Sequence, residues 1–173
     1  DHGVIFHSAD EGKTWSRQES GVETLLCDIE FVDRSTGWAS GIIGTVLHTE
    51  DGGDSWHRQQ TGSKRHLLDL SFADRDYGWA VGNYATILHT ADGGRSWIPQ
   101  REEKDEIYNK VFFVNRKAGW VVGERELILR TRDGGSTWEY VVPPFFRRES
   151  LEEEYETPLP TLFGLYFADE RRG

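Results

Sequence analysis

A chain of 173 residues with 36% apolar and 13% aromatic side chains can bury a core of ordinary domain size, and its 30 acidic against 20 basic residues give a formal net charge of −10. That charge repels phosphate backbones and excludes a general nucleic-acid binder. No apolar run approaches the roughly 18 residues of a spanning helix, and residues 1–8 lack the basic start and apolar stretch of a signal peptide, so direct membrane insertion is not expected. A single cysteine, Cys27, excludes an internal disulfide and a multi-cysteine zinc site.

The chain opens on an apolar strand from Val4 and runs into Ser8-Ala-Asp-Glu-Gly-Lys-Thr-Trp15. The same pattern returns at 49–56, 90–97 and 131–138, with its aspartates at Asp10, Asp51, Asp92 and Asp133, each 41 residues from the last. A second motif, Phe31-Val-Asp-Arg-Ser-Thr-Gly-Trp38, keeps that step at 72–79 and 113–120, and a fourth copy begins at Phe167. Within a unit, Leu68, Leu70 and Phe72 alternate with Asp69 and Ser71, which predicts a first strand; 75–78 is a turn, 79–82 a second strand, 86–90 a third and 96–100 a fourth. Gly82, Gly93 and Gly94 sit where positive φ or close backbone approach is wanted.

Four short antiparallel strands per unit, with no helix-length apolar face, predict an all-β fold built of β-propeller blades. The expected organisation is a partial blade at 1–19, full blades at 24–60, 65–101 and 106–142, an insertion loop at about 143–160 and a partial blade at 161–173. An open arc of three blades would expose apolar sheet faces at both ends. The chain therefore reads as a segment of a propeller of six to eight blades. A four-bladed ring is the alternative, and one of its blades would lack the Trp strand.

The pattern Ser/Thr-x-Asp-x-Gly-x-Thr/Ser-Trp resembles the Asp-box, or bacterial neuraminidase repeat. The combined unit, Phe-x-Asp-Arg-x-x-Gly-Trp followed by Leu-His-Thr-x-Asp-Gly-Gly-x-Ser-Trp, is similar to the photosystem II stability/assembly-factor family of propellers. The resemblance implies a non-enzymatic protein-binding scaffold whose partners are other proteins, subunits of a membrane-associated complex. It also implies an extracytoplasmic location: periplasm, thylakoid lumen or extracellular space.

The box is expected to be a self-satisfying hairpin in which a short carboxylate and a hydroxyl accept backbone N–H groups. On that reading Asp10, Asp51, Asp92 and Asp133 are structural rather than acid–base groups, and Trp15, Trp56, Trp97 and Trp138 pack between sheets. His7, His48 and His89 share the 41-residue step, with Arg130 in the fourth place, and so cannot converge on one metal. No catalytic residue, metal or cofactor is expected. Cys27, in line with Leu68 and Asn109, reads as a small buried thiol.

Two partner surfaces stand out. Arg34, Arg75 and Arg116, again 41 apart, fall in the turn after the first strand and would ring one face; the resemblance implies docking through arginines, and pairing with carboxylates such as Asp33 or Asp74 is an equal alternative. The insertion after the fourth box lengthens a 16-residue connection to 29 and holds Phe145 and Phe146, adjacent aromatics that favour a contact, beside a charge run that reads equally as a solvated loop. The rival function is a glycoside hydrolase of sialidase or related Asp-box type. It would need three convergent arginines off the repeat register, a Tyr with a carboxylate partner, or two acids on unequal loops, and Asp105, Glu124 and Glu126 are the acids available in connectors on the opposite face.

Overall fold

The structure, a computed structural model, describes residues 3–102, 104–142 and 160–169. They form strands and turns without helix. Strands β1 (Val4–His7) and β2 (Ser16–Glu19) pair as a two-stranded sheet. Three four-stranded antiparallel meanders follow. The first is β3 (Leu26–Phe31), β4 (Gly37–Gly41), β5 (Thr45–Thr49) and β6 (His57–Arg58). The second is β7 (Leu67–Phe72), β8 (Gly78–Gly82), β9 (Ile87–Thr90) and β10 (Ile98–Pro99). The third is β11 (Tyr108–Phe113), β12 (Gly119–Gly123), β13 (Ile128–Thr131) and β14 (Glu139–Tyr140). Each meander is one blade. The fourth strands are shorter than the alternation suggests, because the turn of the box extends almost to Trp97 before pairing resumes at Ile98.

Every second strand is buried along its whole length and carries a Trp at its second position. Trp38 and Trp79 are fully buried and reach into the next blade, where Trp38 stacks on Phe72 with ring centroids 3.6 Å apart and Trp79 on Phe113 at 3.4 Å. Trp120 repeats the contact on Phe167 at 3.7 Å, so residues 160–169 carry the start of a fourth unit in the same relation to the third blade. Each indole also donates to the next blade's box: Trp38 Nε1 to the Gly93 carbonyl and Trp79 Nε1 to that of Gly134, both at 3.1 Å. Gln59 and Gln100, at the ends of the fourth strands, donate to those same carbonyls at 2.8 Å. The glutamines fill the space that Gly94 and Gly135 leave open: a Cβ at Gly94 would lie 1.9 Å from Gln59 Oε1, at a φ of +88°.

The boxes are closed hydrogen-bond circuits. In the second blade the Thr90 hydroxyl donates to Asp92 Oδ1 (2.8 Å) and accepts the Gly94 N–H (2.8 Å), while the carboxylate accepts the Ser96 N–H (2.9 Å) and hydroxyl (2.6 Å). Boxes at Asp10, Asp51 and Asp133 repeat the circuit. Trp56 and Trp97 are buried, as the box reading expects, whereas Trp15 is 63% exposed because no blade precedes β1 and β2 among the described residues. Thr90→Val keeps the shape and leaves the buried Gly94 N–H without an acceptor. Its expected cost is about 1–3 kcal/mol, read as a lower urea midpoint at unchanged slope; an unchanged midpoint would remove the hydroxyl from the circuit's energetics.

Candidate docking surfaces

Each blade's first turn and its box lie at the same end of the meander, and the two are tied: Gly93 N–H donates to the Asp76 carbonyl and Gly134 N–H to that of Lys117, both at 2.9 Å. This end is the box face. Connectors between blades and the turns between second and third strands form the opposite face.

The arginine ladder is on the box face, and it runs across blades. Arg75 Nε donates to Asp33 Oδ2 of the preceding blade at 2.7 Å, and Arg116 Nε to Asp74 in the same sense. Pairing with a carboxylate is therefore what Arg75 and Arg116 do, but with the acid one repeat earlier. Arg116 also lies over the Tyr77 ring, 4.0 Å from its centroid. Arg34 is exposed, with no ion pair among the described residues. The bonds that Ser35 donates, followed by that from Arg75, hold the Asp33 carboxyl well below its ordinary range. Side chains of Arg75 and Arg116 remain 66% and 51% exposed, so the paired row still presents guanidinium edges to solvent.

Phe145 and Phe146 lie outside the described residues. The described chain resumes at Pro160, whose carbonyl accepts the Glu126 N–H at 2.9 Å on the opposite face.

On that opposite face Asp105, Glu124 and Glu126 line one crevice of about 410 Å³ with Glu106 and Tyr140. Glu106 accepts the hydroxyls of Tyr108 (2.7 Å) and Tyr140 (2.8 Å); burial pulls its carboxyl upward, and these two bonds outweigh it and hold the group below its usual range. A carboxylate kept ionised in this way is unsuited to donate a proton to a leaving group.

His48 and His89 stack on Trp38 and Trp79 in their own blades, at 4.8 and 4.9 Å, and burial holds both imidazoles below their ordinary pKa. Cys27 corrects the sequence reading: it is exposed. A bulge at each first strand, at Cys27, Leu68 and Asn109, turns one residue out of the ladder, and β3 has no first strand before it among the described residues to cover the thiol.

What the sequence reading missed is the seam between first strands. Glu30 Oε2 accepts the Phe72 N–H (2.8 Å), Asp28 the Leu70 N–H (3.3 Å), Asp69 the Val111 N–H (2.8 Å) and Ser71 the Phe113 N–H (3.1 Å). The polar half of the alternation is thus not solvated; it caps the open edge of the next blade. Lys110 Nζ pairs with Asp69 at 2.6 Å. Burial, above all, pushes Glu30 and Asp69 up to about 7. The signal was present in the alignment of Asp28 with Asp69 and of Glu30 with Ser71, all acceptors at one step.

The family model for photosynthesis system II assembly factor YCF48 matches residues 7–67 and 58–143. Among solved structures, YCF48 bound to D1 peptide is 28% identical with a TM-score of 0.63, over 70% of this chain and 40% of that one. YCF48 from Cyanidioschyzon merolae is 25% identical with a TM-score of 0.59, over 68% and 39%. An ancestral GH74 enzyme superposes at 0.64 over 83% of the chain and 22% of its own, at 12% identity, a likeness of fold alone. The chain thus spans about 40% of the length of the two YCF48 structures. No curated protein sequence matches it.

Proposed function

This chain belongs to the photosynthesis system II assembly factor YCF48 family, and from that premise we propose that it is part of a non-enzymatic scaffold that binds a protein subunit of a membrane-associated photosynthetic complex. The observation that carries the proposal is the exposed arginine row on the box face, Arg34, Arg75 and Arg116, in a molecule of net charge −10. Guanidinium groups bind carboxylates bidentately, and rim charges set encounter rate and register more than affinity. A similar structure holds a D1 peptide, and a segment of that kind is the partner proposed for this chain. The compartment proposed is extracytoplasmic, the thylakoid lumen or periplasm. Support for the glycoside hydrolase alternative comes from the fold alone, through a neighbour only 12% identical.

The test is titration of the chain with that D1 peptide at low and high salt. Changing Arg34, Arg75 and Arg116 together to Gln is expected to weaken binding about tenfold or more at low salt and to flatten its salt dependence. Binding that survives the triple change with its salt slope intact would move the docking surface away from the arginine row.

A further inference from the structure

The first blade's interface with the second and the second's with the third are each built from two described blades, and they differ at one position of the first turn. Between the second and third blades Tyr77 fills the space on the box face. The Arg116 guanidinium lies over its ring, 4.0 Å from the centroid, and His89 meets it at a tilt, with ring centroids 5.9 Å apart. Between the first and second blades the corresponding residue is Thr36. There a crevice of about 430 Å³ stays open although the second blade's turn and box are in place, with Asp76 and Gly93 in its wall. Thr36, His48 and Arg75 also line it, and the last two are the repeat counterparts of His89 and Arg116. The two groups that hold the Tyr77 ring are thus both present with no ring between them.

Arg75 bears the mark of that difference. Both arginines make the same Nε bond to the acid one blade back, yet the Arg75 side chain is 66% exposed and that of Arg116 is 51%. Arg116 Nη2 also reaches Asp76 at 3.9 Å, where Arg75 has Ser35 in place of that carboxylate. Among the described residues no ring lies against the Arg75 guanidinium. A guanidinium is attracted to the face of an aromatic ring, and an imidazole offers a second ring to pack on. We propose that this slot receives a tyrosine side chain of the docked peptide, its ring between Arg75 and His48 as Tyr77 lies between Arg116 and His89. Exposed Glu50 and Arg95 line the mouth, where the next interface has Ala91 and Ser136, so the slot is polar where a phenol hydroxyl would emerge. The proposal rests on the reading of the box face as a peptide-docking surface and adds an aromatic requirement to its readout of charge.

The probes are two unlabelled heptapeptides, each with three aspartates on either side of a central tyrosine or alanine, titrated calorimetrically against the chain at low salt. The parent is expected to prefer the tyrosine peptide about fivefold, the worth of one ring stacked beneath a guanidinium. Thr36→Tyr places in the slot the residue that the second blade already carries on the same backbone. It should abolish the preference, leave the alanine peptide's affinity unchanged and keep the thermal midpoint at or above that of the parent. A large fall in midpoint would show that the slot does not accept a ring and would overturn the proposal, as would a preference that survives Thr36→Tyr. Arg34→Gln with Arg116→Gln leaves Arg75 in place and tests the row by itself; it should weaken both peptides and preserve the preference. Equal binding of the two peptides by the parent, weakened by that double change, would overturn the slot and leave the row standing. A preference that Thr36→Tyr removes, with affinities unmoved by the double change, would support the slot and count against the row. Binding of neither peptide would overturn both.

Discussion

Trp79→Ala is expected to lower stability by about 3–5 kcal/mol, the range for removing a large buried aromatic side chain. The indole is fully buried and performs three tasks at once. It stacks on Phe113 of the next blade with planes 4° apart, it supports His89 in its own blade, and its N–H closes the Gly134 carbonyl that Gln100 also caps. Truncation opens a cavity across a blade interface and leaves a box carbonyl short of a donor. Such a loss takes a large share of the 5–15 kcal/mol that holds a typical domain. Trp15→Ala removes an equal side chain that is 63% exposed and should shift the urea midpoint little. Equal penalties at the two sites would show that the interblade stack is not what holds neighbouring blades together. Trp79→Phe keeps a ring on Phe113 and removes the N–H together with the second ring of the indole, so an intermediate cost of about 2 kcal/mol is expected.

Local structure was legible in the chain wherever one repeat speaks for itself. The box circuit needs two hydroxyls, a carboxylate and a glycine within eight residues, so Thr90, Asp92, Gly94 and Ser96 announce it without help from the rest of the molecule. Strands announced themselves in the same way, through Leu70 and Phe72 at period two. Contacts between blades were harder, because the sequence shows which residues repeat and not which repeat they serve. Arg75 looks like a partner for Asp74 beside it and instead binds Asp33, one blade back. Gln59 gives no sign by itself of capping a carbonyl 34 residues away. Asp69 and Ser71 have the residue types of a solvated face, yet both are buried, since a propeller turns the edge of each first strand toward its neighbour and something must satisfy that edge. The docking residues lie at the far end of this scale. Their positions follow from the repeat, whereas the pairing of Arg75 and Arg116 with acids one blade earlier appears only in the folded chain.

Stability should fall as pH rises through neutrality, and the first-strand seam is the reason. Glu30 and Asp69 stand near 7 in the folded chain against ordinary values of 4.5 and 3.8, chiefly because burial disfavours the charged carboxylate. A group raised in the folded state adds stability that is fully present below its unfolded pKa and is lost as pH climbs through the folded value, at about 1.4 kcal/mol per pH unit per proton. The groups that face one another there are Asp28 and Glu30 on β3, Asp69 on β7 and Lys110 on β11, three acids sharing one cation. The box carboxylates, held low by their hydrogen bonds, act in the opposite sense only at strongly acid pH, and the depressed His48 and His89 oppose the seam mildly below neutrality. Differences between variant and parent cancel those contributions. Glu30→Gln should therefore flatten the fall in urea midpoint between pH 5 and 8. Lys110→Met strands the Asp69 carboxylate and should cost about 2 kcal/mol at pH 8, the low side of the range for a broken buried pair because a third of the lysine side chain is in water. At pH 5 the Asp69 carboxyl is protonated and the penalty should largely vanish. A Lys110→Met penalty of the same size at both pH values would mean that Asp69 keeps its proton, or never binds one, throughout this range, and the seam would not be the source of the pH dependence.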